Sequence, residues 1–165
     1  MTTHLTPSEI AWLDQDRSRT ARTIREHGVL LTYVGGDSSA HQTSFAYTVG
    51  LHGIGHPELL VLGLDSGTTS GLLNEVAARV RAGRDLIPGE ILEFAEWPHR
   101  VLVEAVPNPG DILFAANGFY DRPDFASVPA LQLTYDDKAG RFPTEKGYDV
   151  PRWIQPRPGE FSARD

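Results

Sequence analysis

The chain contains no cysteine. Disulfides, thiolate metal sites and a cysteine nucleophile are therefore excluded, and the absence fits a reducing, cytoplasmic setting. Long apolar runs are also missing: no stretch approaches the ~20 residues of a membrane helix. The start "MTTHLTPSEI" has no basic segment followed by an apolar one, so no signal peptide is expected. Positive charge is scarce. Lys+Arg total 15 against 22 Asp+Glu, a net charge of −7, which disfavours nucleic-acid phosphates and anionic membrane surfaces. Several chemical signatures are absent too. "VGGDSS" lacks the pattern of a phosphate-cradling Walker loop, and no GxSxG elbow occurs. "LHGIGHP" contains G-I-G but leads to a proline and a strand, where a dinucleotide fingerprint needs a helix start.

What is present suits one domain, 1–165. Its 165 residues are 40% hydrophobic and 22% charged, enough to bury a core. "TPSEIAWLDQDRSRTARTIREHG" predicts a helix over 6–27, with Thr6 and Glu9 as a capping box, Pro7 in the first turn and Gly28 as the stop. A core follows over 28–149. "VLLTYV", "TSFAYTVGL" and "ELLVLGL" read as strands. "DSGTTSGLLNEVAARVRAG" reads as a second helix capped by Asp65 or Ser66 and ended at Gly83. "GEILEFAEW" and "RVLVEAV" read as strands, "NPGDILFAANG" as a short helix, and "PALQLTYDDKAG" as a strand and turn. The tail 150–165 is proline-rich and expected to be irregular. Strand pairs on short turns predict an α+β fold: a mainly antiparallel sheet or small split-barrel-like core with two or three packed helices.

Candidate chemistry gathers at two places. The first is "FAYTVGLHGIGHPE". His52 and His56 are four apart, a metal-binding spacing on a helix, but Gly50, Gly53, Gly55 and Pro57 rule a helix out. A metal would then need a third ligand such as His41, Glu58 or His99, so no metal ligand is assigned. His56 and Glu58 flank Pro57 at the mouth of a strand, where an imidazole beside a carboxylate can move protons near neutral pH. Tyr47 supplies a hydroxyl from an apolar strand. Tyr47, His56 and Glu58 are accordingly the candidate catalytic set; the plainer alternative is a core tyrosine and a hydrogen-bonded loop. The second place is "EWPHR". Trp97 can stack on a planar ligand, Arg100 can hold a carboxylate or phosphate, and His99 lies between them, giving a candidate cofactor-binding set. A tight turn with an aromatic lid explains the same residues.

"FAYTVGL", "GHPELLVLGL" and "LQLTYDDKAGRFPTEKGYD", in that order, resemble the bacterial family called domain of unknown function 4262. The resemblance spans about 28–149. It implies a soluble, single-domain bacterial protein and carries no activity with it. The family pattern often has tryptophan where this chain has Tyr135 and Thr144, which implies a reduced aromatic surface at that turn. A second resemblance is architectural, to flavin-reductase-like split barrels. It implies a flavin-type cofactor near "DSGTTSG", where Asp65 opposes a phosphate and the helping bases are Arg79, Arg81, Arg84 and Arg100. The leading expectation is thus a small-molecule or cofactor-binding enzyme with a pocket near the Gly50–Glu58 loop. The alternatives are a non-catalytic interaction domain, using the tail and the aromatic "NGFYDRPDF" loop as a partner or homodimer surface, and a metallohydrolase built on His41, His52 and His56.

Overall fold

The computed structural model describes residues 4–164; residues 1–3 of the N-terminal reading and Asp165 of the tail lie outside them. Among the described residues there are three α-helices and six strands, α1 (Pro7–His27), β1 (Leu30–Val34), β2 (Phe45–Val49), β3 (Glu58–Leu62), α2 (Ser66–Arg81), β4 (Ile91–Leu92), β5 (Val101–Ala105), α3 (Phe114–Phe119) and β6 (Ala130–Tyr135). The strands form one mixed sheet in the order β1-β2-β3-β6-β5-β4. Every neighbouring pair is antiparallel except β3–β6. The sheet is open, with β1 and β4 as its two edges, so the α+β class holds while the barrel alternative does not describe it.

The two central strands explain their own sequences. β3 and β6 are buried at every position, which is why "ELLVL" and "ALQLTY" read as near-continuous apolar runs. One sheet face, with Ala46, Leu59, Val61, Val103 and Leu133, packs under α2 through Leu72, Leu73, Val76 and Val80. The other face, with Phe45, Tyr47, Val49, Leu60 and Leu62, is covered by Ile112, Leu113 and Ala116 and by Phe161 from the tail. Burying such residues is worth roughly 1.5–3 kcal/mol each.

The helix caps form as their sequence chemistry predicts. Thr6 accepts from the Glu9 N–H while the Glu9 carboxylate accepts from the Thr6 N–H. Asp65 caps α2 by accepting from the Thr68 N–H at 2.8 Å. The "GEILEFAEW" strand is much shorter than expected. β4 keeps only two residues, paired with Leu102 and Val101 of β5, and beyond it Phe94 and Trp97 turn inward onto the α2-side core. Among the described residues the tail has no strand, yet it is pinned. Arg157 makes a bidentate pair with Glu104 at 2.8 and 2.6 Å, and Gln155 is buried against Tyr135.

Candidate functional site

Glu58 begins β3 and is fully buried. Its Oε1 accepts from the Thr48 hydroxyl at 2.8 Å and the Leu51 N–H at 3.0 Å; Oε2 accepts from the Gly50 N–H at 3.0 Å and the His52 N–H at 3.2 Å. The carboxylate thus replaces the missing strand partners of a chain that turns at Gly50, whose φ of 135° suits glycine. Burial pushes the Glu58 carboxyl up, and the Gly50, Thr48, His52 and Leu51 donors pull it back. His56 is buried with both ring nitrogens engaged. Nδ1 lies 2.7 Å from the Pro57 carbonyl, and Nε2 lies 3.2 Å from the Leu86 N–H. A carbonyl can only accept and an N–H only donate, so the ring is neutral with its proton on Nδ1. The Tyr47 hydroxyl accepts from the Ala115 N–H at 2.9 Å and ties α3 to the sheet. Burial pushes its pKa up against that N–H and a hydrogen bond with Thr32.

The three expected catalytic side chains therefore spend their polar atoms on separate partners: Glu58 on Thr48 and the turn at 50–52, His56 on Pro57 and Leu86, and Tyr47 on Ala115. Among the described residues no hydrogen bond joins one to another. The histidines are dispersed as well: His41 stacks on Trp153 at 4.8 Å, and His52 meets the edge of Tyr120 at 4.7 Å. No group of three or more His, Asp or Glu with metal-binding geometry occurs among the described residues.

The second set does converge. β3 and β6 run parallel, so their C-terminal ends lie side by side, and the antiparallel β5 begins at that same end. The Tyr135 hydroxyl donating to the Gly63 carbonyl at 3.1 Å closes the gap between the two strand ends. There the buried Asp136 collects the "HR" of "EWPHR". His99 Nδ1 is 2.8 Å from Asp136 Oδ1 and 3.0 Å from the Asp136 carbonyl. The Arg100 N–H donates to Oδ1 at 3.2 Å, and its Nε donates to Oδ2 at 3.5 Å. Arg100 Nη2 reaches the Gly140 carbonyl at 2.8 Å, with the guanidinium over Phe142. The His99 ring sits 4.9 Å from Trp97 and 6.4 Å from Tyr135. Two acceptors face Nδ1, so in the neutral ring it carries the proton and Nε2 presents a lone pair. Nε2 has no hydrogen bond among the described residues, and the side chain is 26% exposed. Asp136 was absent from the expected set. Its signal was the paired "DD" straight after an apolar strand, where one acid, Asp137, closes the turn onto Ala139, Arg141 and Asp149 and the other turns back to the sheet end.

A family model, "Domain of unknown function (DUF4262)", matches residues 23–149. The chain belongs to the DUF4262 family. No curated protein and no solved structure matches it. All of the groups around Glu58 and Asp136 fall inside the DUF4262 match, whereas most of α1 and the pinned tail fall outside.

A flavin phosphate at the start of α2 does not fit the residues there. The Asp65 carboxylate already takes the Thr68 N–H and hydroxyl, and an anion beside it is repelled. Of the bases expected to help, Arg79 is held by Glu75 and the Glu93 carbonyl and Arg84 by Glu90, while Arg100 sits beside Asp136.

Proposed function

We propose that this DUF4262 protein is a small-molecule enzyme whose proton-transfer group is His99, at the sheet end marked by Asp136. One observation carries the reading: a buried carboxylate holds Nδ1 and leaves Nε2 without a hydrogen bond among the described residues, on a side chain that is 26% exposed. That is the arrangement in which an imidazole acts as a general base and then as an acid. Trp97 supplies an aromatic wall on one side of the ring, and Arg100, only partly consumed by Asp136 and Gly140, offers a contact for a carboxylate or phosphate. Glu58, His56 and Tyr47 support this reading from behind as framework rather than as reactants.

The experiment is a screen of nitrophenyl acyl and phosphate esters with purified wild-type protein, repeated with His99→Gln and Asp136→Asn. Loss of a general base lowers kcat by roughly 10²–10⁴-fold. Turnover equal in wild type and His99→Gln overturns the assignment. An absorption spectrum taken first shows whether a flavin-type cofactor accompanies the protein.

One observation favours a second reading, a non-catalytic interaction domain. Phe125 in "NGFYDRPDF" is 90% exposed. Its neighbours Phe119 and Tyr120, however, pack onto the α3-side core, so the loop offers one aromatic rather than a patch. Retention of a cellular partner by wild type and its loss in Phe125→Ser supports that reading.

A further inference from the structure

The pinned tail builds one side of a cavity. About 600 Å³ of space, within the range of small-molecule sites, lies between the tail, the turn at 37–42 and the end of β1. Aromatic residues are only 9% of the chain, yet Phe45, Phe114, Phe161 and Trp153 all line this space, so its wall is aromatic. The tail is fixed around it. The Thr43 hydroxyl donates to the Ile154 carbonyl, the Asn108 amide donates to the Phe161 carbonyl at 2.8 Å, and the Ala163 N–H donates to the Asp111 carbonyl at 2.9 Å. Walls held in this way spare an occupant the cost of ordering them. From the turn, His41 lays its ring on Trp153, with centroids 4.8 Å apart and planes 6° from parallel. The His41 backbone is left-handed, with φ 50°, a conformation that residues other than glycine adopt at a cost. The Asp37 and Gln42 backbones, bonded to each other at 2.8 and 2.9 Å, close the turn that holds it there.

Polar chemistry narrows the occupant. The two permanently charged side chains of the lining are both committed. Glu160 accepts from Arg152 Nε at 3.0 and 2.7 Å and from the Arg157 N–H at 2.7 Å. Arg164 donates to Asp111 at 2.6 Å and pairs with Asp124. An anion therefore meets no uncommitted guanidinium here, and a cation no uncommitted carboxylate. The Gln42 amide and the His41 ring also line the space, both exposed and without a side-chain hydrogen bond among the described residues. A primary amide sets a donor and an acceptor side by side, the pattern that reads the edge of a planar heterocycle. Parallel aromatic rings add a surface on which such a ring stacks. We infer that this cavity binds an uncharged planar heteroaromatic ring with a donor and an acceptor on one edge, of the nucleobase kind, stacked on the His41–Trp153 pair and read by Gln42. The cavity shares no lining residue with the Asp136 end of the sheet, and the inference stands apart from the role of His99.

Calorimetric titration of the full chain with adenine, adenosine, inosine and AMP tests it. The expected result is saturable binding of free base or nucleoside at one site per chain, with AMP no tighter than adenosine because no cation is free for its phosphate. Stacking and a paired amide edge each change affinity by roughly 5–150-fold, so His41→Asn and Gln42→Leu each weaken binding by that factor. Both side chains are exposed, and asparagine tolerates the left-handed backbone, so both variants keep the thermal unfolding of wild type. His99→Gln, outside the cavity, binds like wild type. Absence of saturable binding by all four probes up to about 1 mM overturns the inference. So does AMP binding more tightly than adenosine, affinity left unchanged by either His41→Asn or Gln42→Leu, or an equal loss in His99→Gln.

Discussion

Glu58→Gln measures how much of the β2–β3 connection rests on one carboxylate. In the native chain each carboxylate oxygen accepts two hydrogen bonds, Oε1 from Thr48 and Leu51 and Oε2 from Gly50 and His52. An amide keeps one acceptor oxygen and turns an NH₂ toward the other two donors. Those two bonds are lost at a fully buried site, and each bond to a charged group is worth about 1.5–3 kcal/mol. Opposing this, glutamine no longer buries a charge, the same cost that pushes the Glu58 carboxyl up. The balance is a loss of about 2–4 kcal/mol, or about 5–15 °C in Tm for a chain of this size. Thermal unfolding at pH 7 reads the total, and hydrogen exchange at Gly50, Leu51 and His52 localises it. Thr48→Val is the companion, because it removes one donor to Glu58 and the acceptor of the Leu59 N–H while keeping the side-chain shape. A Tm loss under about 3 °C for Glu58→Gln, with exchange unchanged at 50–52, refutes the reasoning.

Three further outcomes are expected. Burial holds the hydroxyls of Tyr47, Tyr120 and Tyr135 above their ordinary pKa and pushes Tyr148 to about 12. Their raised folded values favour the folded state below the unfolded value near 10, and that contribution is lost as pH rises toward 12; tyrosinate absorbance should rise in step with alkaline unfolding, and early, uncoupled ionisation of all four contradicts this. At the acid end, Glu9 and Asp65 are held below their ordinary pKa by the Thr6 and Thr68 bonds they accept, so their capping support is complete above about pH 5 and fades as pH falls through 4 and below; replacing Asp65 with asparagine should flatten this part of the stability–pH curve. Arg157→Met removes a bidentate, three-quarters buried guanidinium from Glu104 and should cost about 1–2 kcal/mol, with faster proteolytic cleavage within 150–164; unchanged cleavage shows that Gln155 and Phe161 hold the tail without it.

Local features were legible in the sequence because they obey local rules. Thr6, Glu9, Pro7 and Asp65 announce helix ends through hydrogen bonds made within four residues, and "ELLVL" announces burial through its own composition. Pairing between distant segments was not legible. β3 meets β6 across a long intervening stretch, and no residue in either strand encodes that register. The candidate site divided along the same line. Glu58 was visible as a polar residue at a strand mouth, but its role depends on which N–H groups the turn at Gly50 brings within 3.2 Å. His99 and Arg100 were visible as chemistry, while Asp136, 37 positions further on, supplies what orients the imidazole. A buried partner that far away leaves no spacing rule in a single sequence.

The β3–β6 seam has a consequence for how the molecule comes apart. It is the one parallel pairing in the sheet, and it joins two self-contained antiparallel meanders, β1-β2-β3 and β4-β5-β6. The chain crosses from one meander to the other through α2 and the exposed stretch around Gly83–Asp85. Opening the backbone there yields two polypeptides that each keep a three-stranded unit and bare to each other the β3–β6 edges and the sheet faces that α2 and the Ile112–Ala116 segment cover. The protein is in this sense divisible: two halves expressed together are expected to zip along β3 and β6 and restore the shared end where Tyr135 meets Gly63.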